Sequence, residues 1–211
     1  ETFSLDPSGI EAAIGSRTRA IMPVSLYGQC AEMDAIKTIA RRHALPVIED
    51  AAQSFGASFH DRRSCALSDL ACTSFFPAKP LGAYGDGGAC FTQDASLADR
   101  LRQIRDHGQE SRYHHTVLGI NGRMDTIQAA ILIAKLKIFP DEIAARQRVA
   151  DRYAGLLAGL VDEGSITLPV VRSHNTSTWA QYTIRVADRE EIRHRLGQQG
   201  IPSAVHYPVP L

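Results

Sequence analysis

Long apolar runs are missing from this sequence. None approaches the roughly 20 residues that a membrane-crossing helix needs, so no membrane partner is expected. A surplus of charge is missing too: 23 Lys and Arg balance 23 Asp and Glu, which removes any general attraction to nucleic acid or anionic lipid. Cysteine is scarce and scattered, at Cys30, Cys65, Cys72 and Cys90, with no C-x-x-C pair and no histidine cluster at metal-ligand spacing. The adjacent His114 and His115 would point to different sides of most backbones, so no metal is expected there. Such thiols fit a reducing compartment, and the expected location is the cytoplasm. Internal repeats and low-complexity tracts are also absent.

What remains is an ordinary globular composition, 44% hydrophobic and 22% charged over 211 residues. Residues 19–26 read as a buried strand bounded by Tyr27 and Gly28. Residues 31–43 place Met33, Ile36 and Ala40 on one helical face, and Leu45 to Ile48 form a short apolar strand ending at Glu49 and Asp50. Strand, helix and strand in so short a span is the βαβ pattern of a parallel sheet covered on both faces. Further strands are expected over residues 70–76 and 88–92, with a helix from Ser96 to about His107. The segment from Met124 to Ile138 is helical and apolar nearly all round, which predicts burial in the core or in a subunit interface. Pro140 then opens a long amphipathic helix, in a first-turn position where its missing N–H costs nothing. A strand over 182–186, a helix over 188–199 and a strand near 203–205 complete the pattern. The expectation is a large α/β domain over residues 1–138 and the start of a smaller α+β domain over 139–211. The chain opens on Glu1 rather than Met and stops after a proline-rich run, so an internal piece of a longer protein is expected.

In open parallel sheets, ligands sit beyond the carboxyl ends of the strands. Asp50, Gln53, Ser74 and Lys79 all fall at or just after such ends. Lys79 neighbours Phe75, Phe76 and Pro77, which would partly withdraw it from water, as a nucleophilic amine requires. Gly82, Gly85, Gly87 and Gly88 follow, allowing close approach of backbone to a ligand. The run precedes a strand rather than opening a helix, so it is neither a dinucleotide fingerprint nor a P-loop. Taken singly, each residue has an ordinary reading. A lysine can be a solvated charge, Asp50 a helix cap, Ser74 a strand hydroxyl, Asn121 a turn residue, Arg123 a surface charge, and His206 with Tyr207 a packing pair.

Together they are more specific. Glu49-Asp-Ala-Ala-Gln53-Ser54, Ser74-Phe-Phe-Pro-Ala-Lys79, Gly85-Asp-Gly-Gly88 and Gly119-Ile-Asn121-Gly-Arg123-Met-Asp125 stand in an order that resembles the DegT/DnrJ/EryC1/StrS sugar aminotransferases. The resemblance runs through essentially the whole chain. It implies the pyridoxal-phosphate (PLP) fold type I, like that of aspartate aminotransferase, with PLP as cofactor. Val24 to Cys30, Arg112 to His115 and Val205 to Pro208 look most like the enzymes that aminate C3 of a UDP-linked 3-oxo-glucuronate.

Carried over residue by residue, the resemblance makes Lys79 the covalent anchor of PLP and the base of the reaction. It makes Asp50 the partner of the pyridine nitrogen, Gln53 a neighbour of the 3′ oxygen, and Ser74 a phosphate ligand. Asn121 would bind phosphate in the neighbouring subunit, which implies a homodimer with shared active sites. Arg123, His206 and Tyr207 would contact substrate, an arginine fork suiting a carboxylate or diphosphate. The implied partners are a nucleotide sugar and an amino donor, by resemblance L-glutamate, and the implied product feeds a surface polysaccharide. The family's Gly-Thr phosphate turn and ring-stacking residue belong upstream of the strand at residues 19–26, and its last elements belong downstream of Leu211. Three rivals remain: a PLP-dependent sugar dehydratase, which has histidine at the lysine position; a non-catalytic relative with a binding or regulatory role; and a nicotinamide oxidoreductase, which needs a glycine fingerprint that residues 26–30 lack.

Overall fold

The structure is a computed structural model and describes residues 2–209. A short helix α1 (Ile10–Ala13) precedes α2 (Met33–Arg42) and the strand β1 (Ile48–Asp50). A small hairpin, β2 (Ser58–Phe59) and β3 (Arg62–Arg63), leads to β4 (Leu70–Ser74) and β5 (Gly88–Phe91). Helix α3 (Ala95–Arg105) is followed by a second hairpin of β6 (Gln109–Ser111) and β7 (His114–His115). Then come α4 (Thr126–Leu136), α5 (Phe139–Asp162), β8 (Ile166–Thr167), β9 (Arg185–Val186) and α6 (Arg189–Gln198).

The main sheet has the order β1-β4-β5. Strands β1 and β4 are parallel, with Asp50 opposite Cys72, whereas β5 runs antiparallel to β4, with Ser74 opposite Gly88. The sheet is therefore mixed. Residues 19–26 flank β1 as expected, but only as isolated parallel bridges at Ile21–Val47 and Val24–Asp50. Pro23 explains the break. It has no N–H to donate, so the ladder runs from Ile21 N–H to Pro46 O (3.0 Å) and resumes at Ser25 N–H to Asp50 O (2.9 Å).

Burial alternates along the strands. Glu49, Ala71 and Thr73 are buried, while Ile48, Asp50, Cys72 and Ser74 are half-buried. The period of two thus sets Asp50 and Ser74 on one face and Glu49 on the other. Helix α2 covers the core with Met33, Ile36, Ile39 and Ala40, and carries Arg41 and Arg42 in its last turn, where cations complement the helix dipole. These side chains join Ile10, Ile21, Val47, Phe59 and Leu67 in the largest apolar cluster. A second cluster of Phe75, Leu81, Ala83, Leu132 and Phe139 supports the β4–β5 connection.

Helix caps follow the sequence. The Asp94 carboxylate accepts from the N–H groups of Ser96 and Leu97 at the start of α3, Asp188 caps α6, and Pro140 lies in the first turn of α5. Of the two expected settings for α4, core or subunit interface, the single chain does not show the first. Only Leu132 is buried, while Ile127 is 72% and Ile133 62% exposed. Toward the end of the chain, β9 spans only Arg185–Val186 of the expected 182–186 strand, and 203–205 is not a strand. No helix of the described residues is long and apolar enough to cross a membrane.

Candidate active site

Asp50 and Ser74 end the two parallel strands β1 and β4, and Lys79 lies in the turn that follows β4. Asp50 is the last residue of β1, and one of its carboxylate oxygens accepts from the N–H of Ala52 at 3.0 Å. That local turn fixes the side chain and leaves Oδ2 without a protein partner among the described residues. On the neighbouring strand, Ser74 lies two residues past the partner of Asp50, about 6.5 Å further out by strand geometry and on the same face. Its hydroxyl accepts from the N–H of Phe76 at 3.2 Å, turning the chain out of the sheet.

The turn that follows holds Lys79. Lys79 N–H donates to Phe76 O at 2.9 Å, Ala83 N–H to Phe75 O at 2.8 Å, and Phe75 N–H to Gly87 O at 2.8 Å. Gly82 is required by this folding-back, since a Cβ there would lie 2.4 Å from Pro77 O. The Lys79 side chain is half-buried and makes no ion pair among the described residues. An amine partly shielded from water and without an ion-pair partner among the described residues can act as a nucleophile or a proton carrier.

Gln53 is 4% exposed and held from three sides. Its Oε1 accepts from Tyr27 N–H at 2.6 Å, its Nε2 donates to the Tyr207 hydroxyl at 3.2 Å, and its backbone O accepts from the Thr178 hydroxyl at 2.8 Å. The structure therefore brings Tyr207 onto the Gln53 side of the site, and His206 with it through its carbonyl, which accepts from the Tyr27 hydroxyl.

Asn121 and Arg123 stand apart from this group. Both are exposed on the strip after β7, which is clamped to the end of α3 by Ile120 N–H to Ile104 O and Gly122 N–H to Arg105 O, each 2.8 Å. Arg123 pairs with Asp106 at 2.8 Å. No hydrogen bond or ion pair among the described residues ties either to Asp50, Gln53, Ser74 or Lys79. An open cavity of about 1140 Å³ lies alongside β4, β5 and α3 and is lined by Cys72, Phe91, Leu101, Ile104 and Ile120. Of the eight sequence-predicted site residues only Arg123 borders it. Among the described residues no group of His, Cys, Asp and Glu is placed to hold a metal ion.

Two features behind the site escaped the sequence reading. Glu49 is fully buried and accepts from Ser25 Oγ (3.1 Å), Ser64 Oγ (2.8 Å) and Cys65 N–H (2.9 Å). Burial pushes its carboxyl above the usual range, an effect these hydrogen bonds only partly offset. Cys65 and Cys30, buried beside the same carboxylate, are pushed up to about 12, first by burial and then by Glu49. Tyr27 is the other feature, and its backbone N–H is what fixes Gln53. The buried strand position of Glu49 was a sequence signal for the first; only the step from strand to Tyr27-Gly28 hinted at the second.

The ends of these parallel strands and the turn after β4 thus carry a carboxylate, a hydroxyl and a lysine. The family model for DegT/DnrJ/EryC1/StrS aminotransferases matches residues 1–211, and the chain belongs to that PLP-dependent family. Its architecture is accordingly part of a PLP fold type I domain. The chain is 57% identical, over 100% of its length and 57% of the relative's, to a UDP-2-acetamido-2-deoxy-3-oxo-D-glucuronate aminotransferase of Pseudomonas aeruginosa. It is 46% identical to a pleiotropic regulatory protein of Geobacillus stearothermophilus, over 100% of the chain and 56% of that protein. The crystal structure of NtdA from Bacillus subtilis with the cofactor PMP bound superposes with a TM-score of 0.91 at 35% identity, covering 99% of this chain and 48% of that one. The chain thus spans about half the length of the relatives it matches.

Proposed function

We propose that this chain is part of a PLP-dependent aminotransferase that places an amino group on a keto group of a nucleotide-linked sugar, a UDP-3-keto-uronate, with L-glutamate as donor. The observation that carries this reading is that Asp50 and Ser74 end the two parallel strands, Lys79 lies in the turn after β4, and Gln53, three residues past Asp50, is held by Tyr27 N–H. The donor set fits the parts of PLP: a carboxylate for the ring nitrogen, an amide N–H for the ring oxygen, a hydroxyl for phosphate and an amine for the aldehyde carbon. When bound, PLP supplies an electron sink for a carbanion at the substrate carbon.

The chain's own residues do the rest. Asp50, whose Oδ2 has no protein partner among the described residues, would hold a proton at the ring nitrogen, as a carboxylate beside a basic nitrogen does. The Lys79 amine, once free, carries the proton to and from the substrate carbon. Ser74 orients the phosphate end. Tyr207, bonded to Gln53, and the adjacent His206 would contact the sugar. Arg123 offers the rest of its guanidinium fork to a carboxylate or diphosphate while Asp106 holds one nitrogen.

A homodimer fits the exposed positions of Asn121 and of the apolar α4 face, with Asn121 serving the partner's cofactor phosphate. Residues 1–138 would form the large domain and 139–211 the start of the small one. The enzyme would work in the cytoplasm, on a path to surface polysaccharide. The name of the Geobacillus relative keeps a regulatory role as the second reading. A lysine rather than a histidine at position 79 speaks against a dehydratase.

The test is amination of the UDP-linked 3-keto-uronate by the full-length protein with PLP and L-glutamate, followed by mass spectrometry of the sugar. An Arg123→Ala variant is expected to raise KM for the sugar about tenfold or more, the cost of one charge-assisted contact. No amination of any keto sugar by a protein that binds PLP would defeat the substrate assignment, and an unchanged KM would defeat the Arg123 role.

A further inference from the structure

Tyr27 ends the first strand in an unusual way. Its backbone has φ 58° and ψ 0°, in the left-handed region where a side chain is disfavoured. Gly28 follows at φ 123°, and a Cβ there would lie 2.6 Å from the Trp179 nitrogen. A residue held in this conformation needs compensating contacts, and Tyr27 has them on three sides. Its N–H donates to Gln53 Oε1 at 2.6 Å, its O accepts from Gln181 N–H at 3.4 Å, and its hydroxyl donates to the carbonyl of His206.

The contact with Gln53 settles the orientation of an amide. A backbone N–H can only donate, so Oε1 must face Tyr27 and Nε2 must face the other way. One Nε2 hydrogen goes to the Tyr207 hydroxyl, and the second is left for a ligand. The hydroxyl of Tyr27 secures the residue next to Tyr207, His206. Tyr27 is half-buried, its ring packs edge-on against Phe3 at 5.2 Å, and burial raises its phenol above the ordinary value, opposed in part by the Thr183 side chain.

We infer that Tyr27 is a positioning residue that joins the two halves of the site: through its N–H it aims the Gln53 amide at the cofactor, and through its hydroxyl it holds the 206–207 segment where the sugar binds. The inference rests on the proposed aminotransferase reading for the identity of the ligands, but the latch itself does not. Sugar specificity then depends on a phenol that touches neither sugar nor cofactor. Removing the hydroxyl loosens the sugar side and leaves the amide aimed.

Tyr27→Phe in the full-length protein separates these parts, since the ring, the backbone and the Gln53 contact stay. In the PLP-free protein, hydrogen exchange is expected to speed up in peptides covering residues 203–207 and to stay unchanged in those covering 48–58. In the PLP-loaded protein, KM for the keto sugar is expected to rise about fivefold to tenfold, the loss of one hydrogen bond, while the half-reaction with L-glutamate keeps its rate. Unchanged exchange at 203–207, or equal loosening of both regions, would overturn the inference. So would equal slowing of both half-reactions, the mark of a merely structural role. Selective loosening without any PLP binding would instead uphold the latch and defeat the aminotransferase reading.

Discussion

Replacing Glu49 by alanine and by glutamine separates two contributions of one buried carboxylate. Three donors converge on it, from Ser25, Ser64 and Cys65, at 2.8–3.1 Å. Alanine leaves a void and strips all three of their acceptor. A buried donor without a partner costs about 1–3 kcal/mol, and the hydroxyls can turn partly toward other acceptors. A loss of about 3–5 kcal/mol is therefore expected, in the range of broken buried networks. Glutamine keeps the shape. Its carbonyl can serve Cys65 N–H while its amide donates to the two rotatable hydroxyls, so the loss should be about 1 kcal/mol or less.

The pH dependence separates charge from shape. Burial raises the Glu49 carboxyl above 4.5 in the folded protein, so between the ordinary and the raised value the folded state binds more protons than the unfolded one. Its contribution is then full below the ordinary value and declines as pH rises through the raised one. Glu49→Gln cannot titrate and should lack that decline, gaining on the wild type as pH increases. Urea unfolding of the PLP-free protein, followed by circular dichroism from about pH 4 to about pH 8, measures both effects. Equal losses for alanine and glutamine at neutral pH, or a wild-type-minus-glutamine difference that ignores pH, would refute the reasoning.

Gly82→Ala should destabilise the protein by about 1–3 kcal/mol, because the new Cβ meets backbone at 2.4 Å and the neighbour cannot yield as a side chain would; the same denaturant titration reads it, and a neutral effect would show that the Lys79 turn can relax around a methyl group. Ile133→Glu puts a charge on the exposed apolar face of α4 and should convert a dimer to monomers in sedimentation experiments at micromolar protein. If the dimer survives unchanged, α4 is not at the subunit contact.

Much of this site was legible because it sits at strand ends. Short apolar runs located β1 and β4, and their carboxyl ends placed Asp50 and Ser74. Lys79 stood out through the order of the motifs around it, not through its place after β4 alone. Other features needed three dimensions. The antiparallel entry of β5 depends on how residues 75–87 fold back, which strand periodicity does not encode. The first strand looked continuous in its hydrophobicity, yet Pro23 removes a donor from its ladder. Apolarity all round α4 signalled burial without naming the partner, and in the single chain that surface stays exposed. Tyr27 and Tyr207 are 180 residues apart and meet across Gln53, a contact that no local pattern announces.

The most direct test of the account is to mix the full-length protein with PLP, reduce with borohydride, digest, and locate the retained cofactor by mass spectrometry. A yellow band that reduction fixes on Lys79, and that Lys79→Ala lacks, is the predicted result. A protein with no such band, or a band fixed on another lysine, would contradict it.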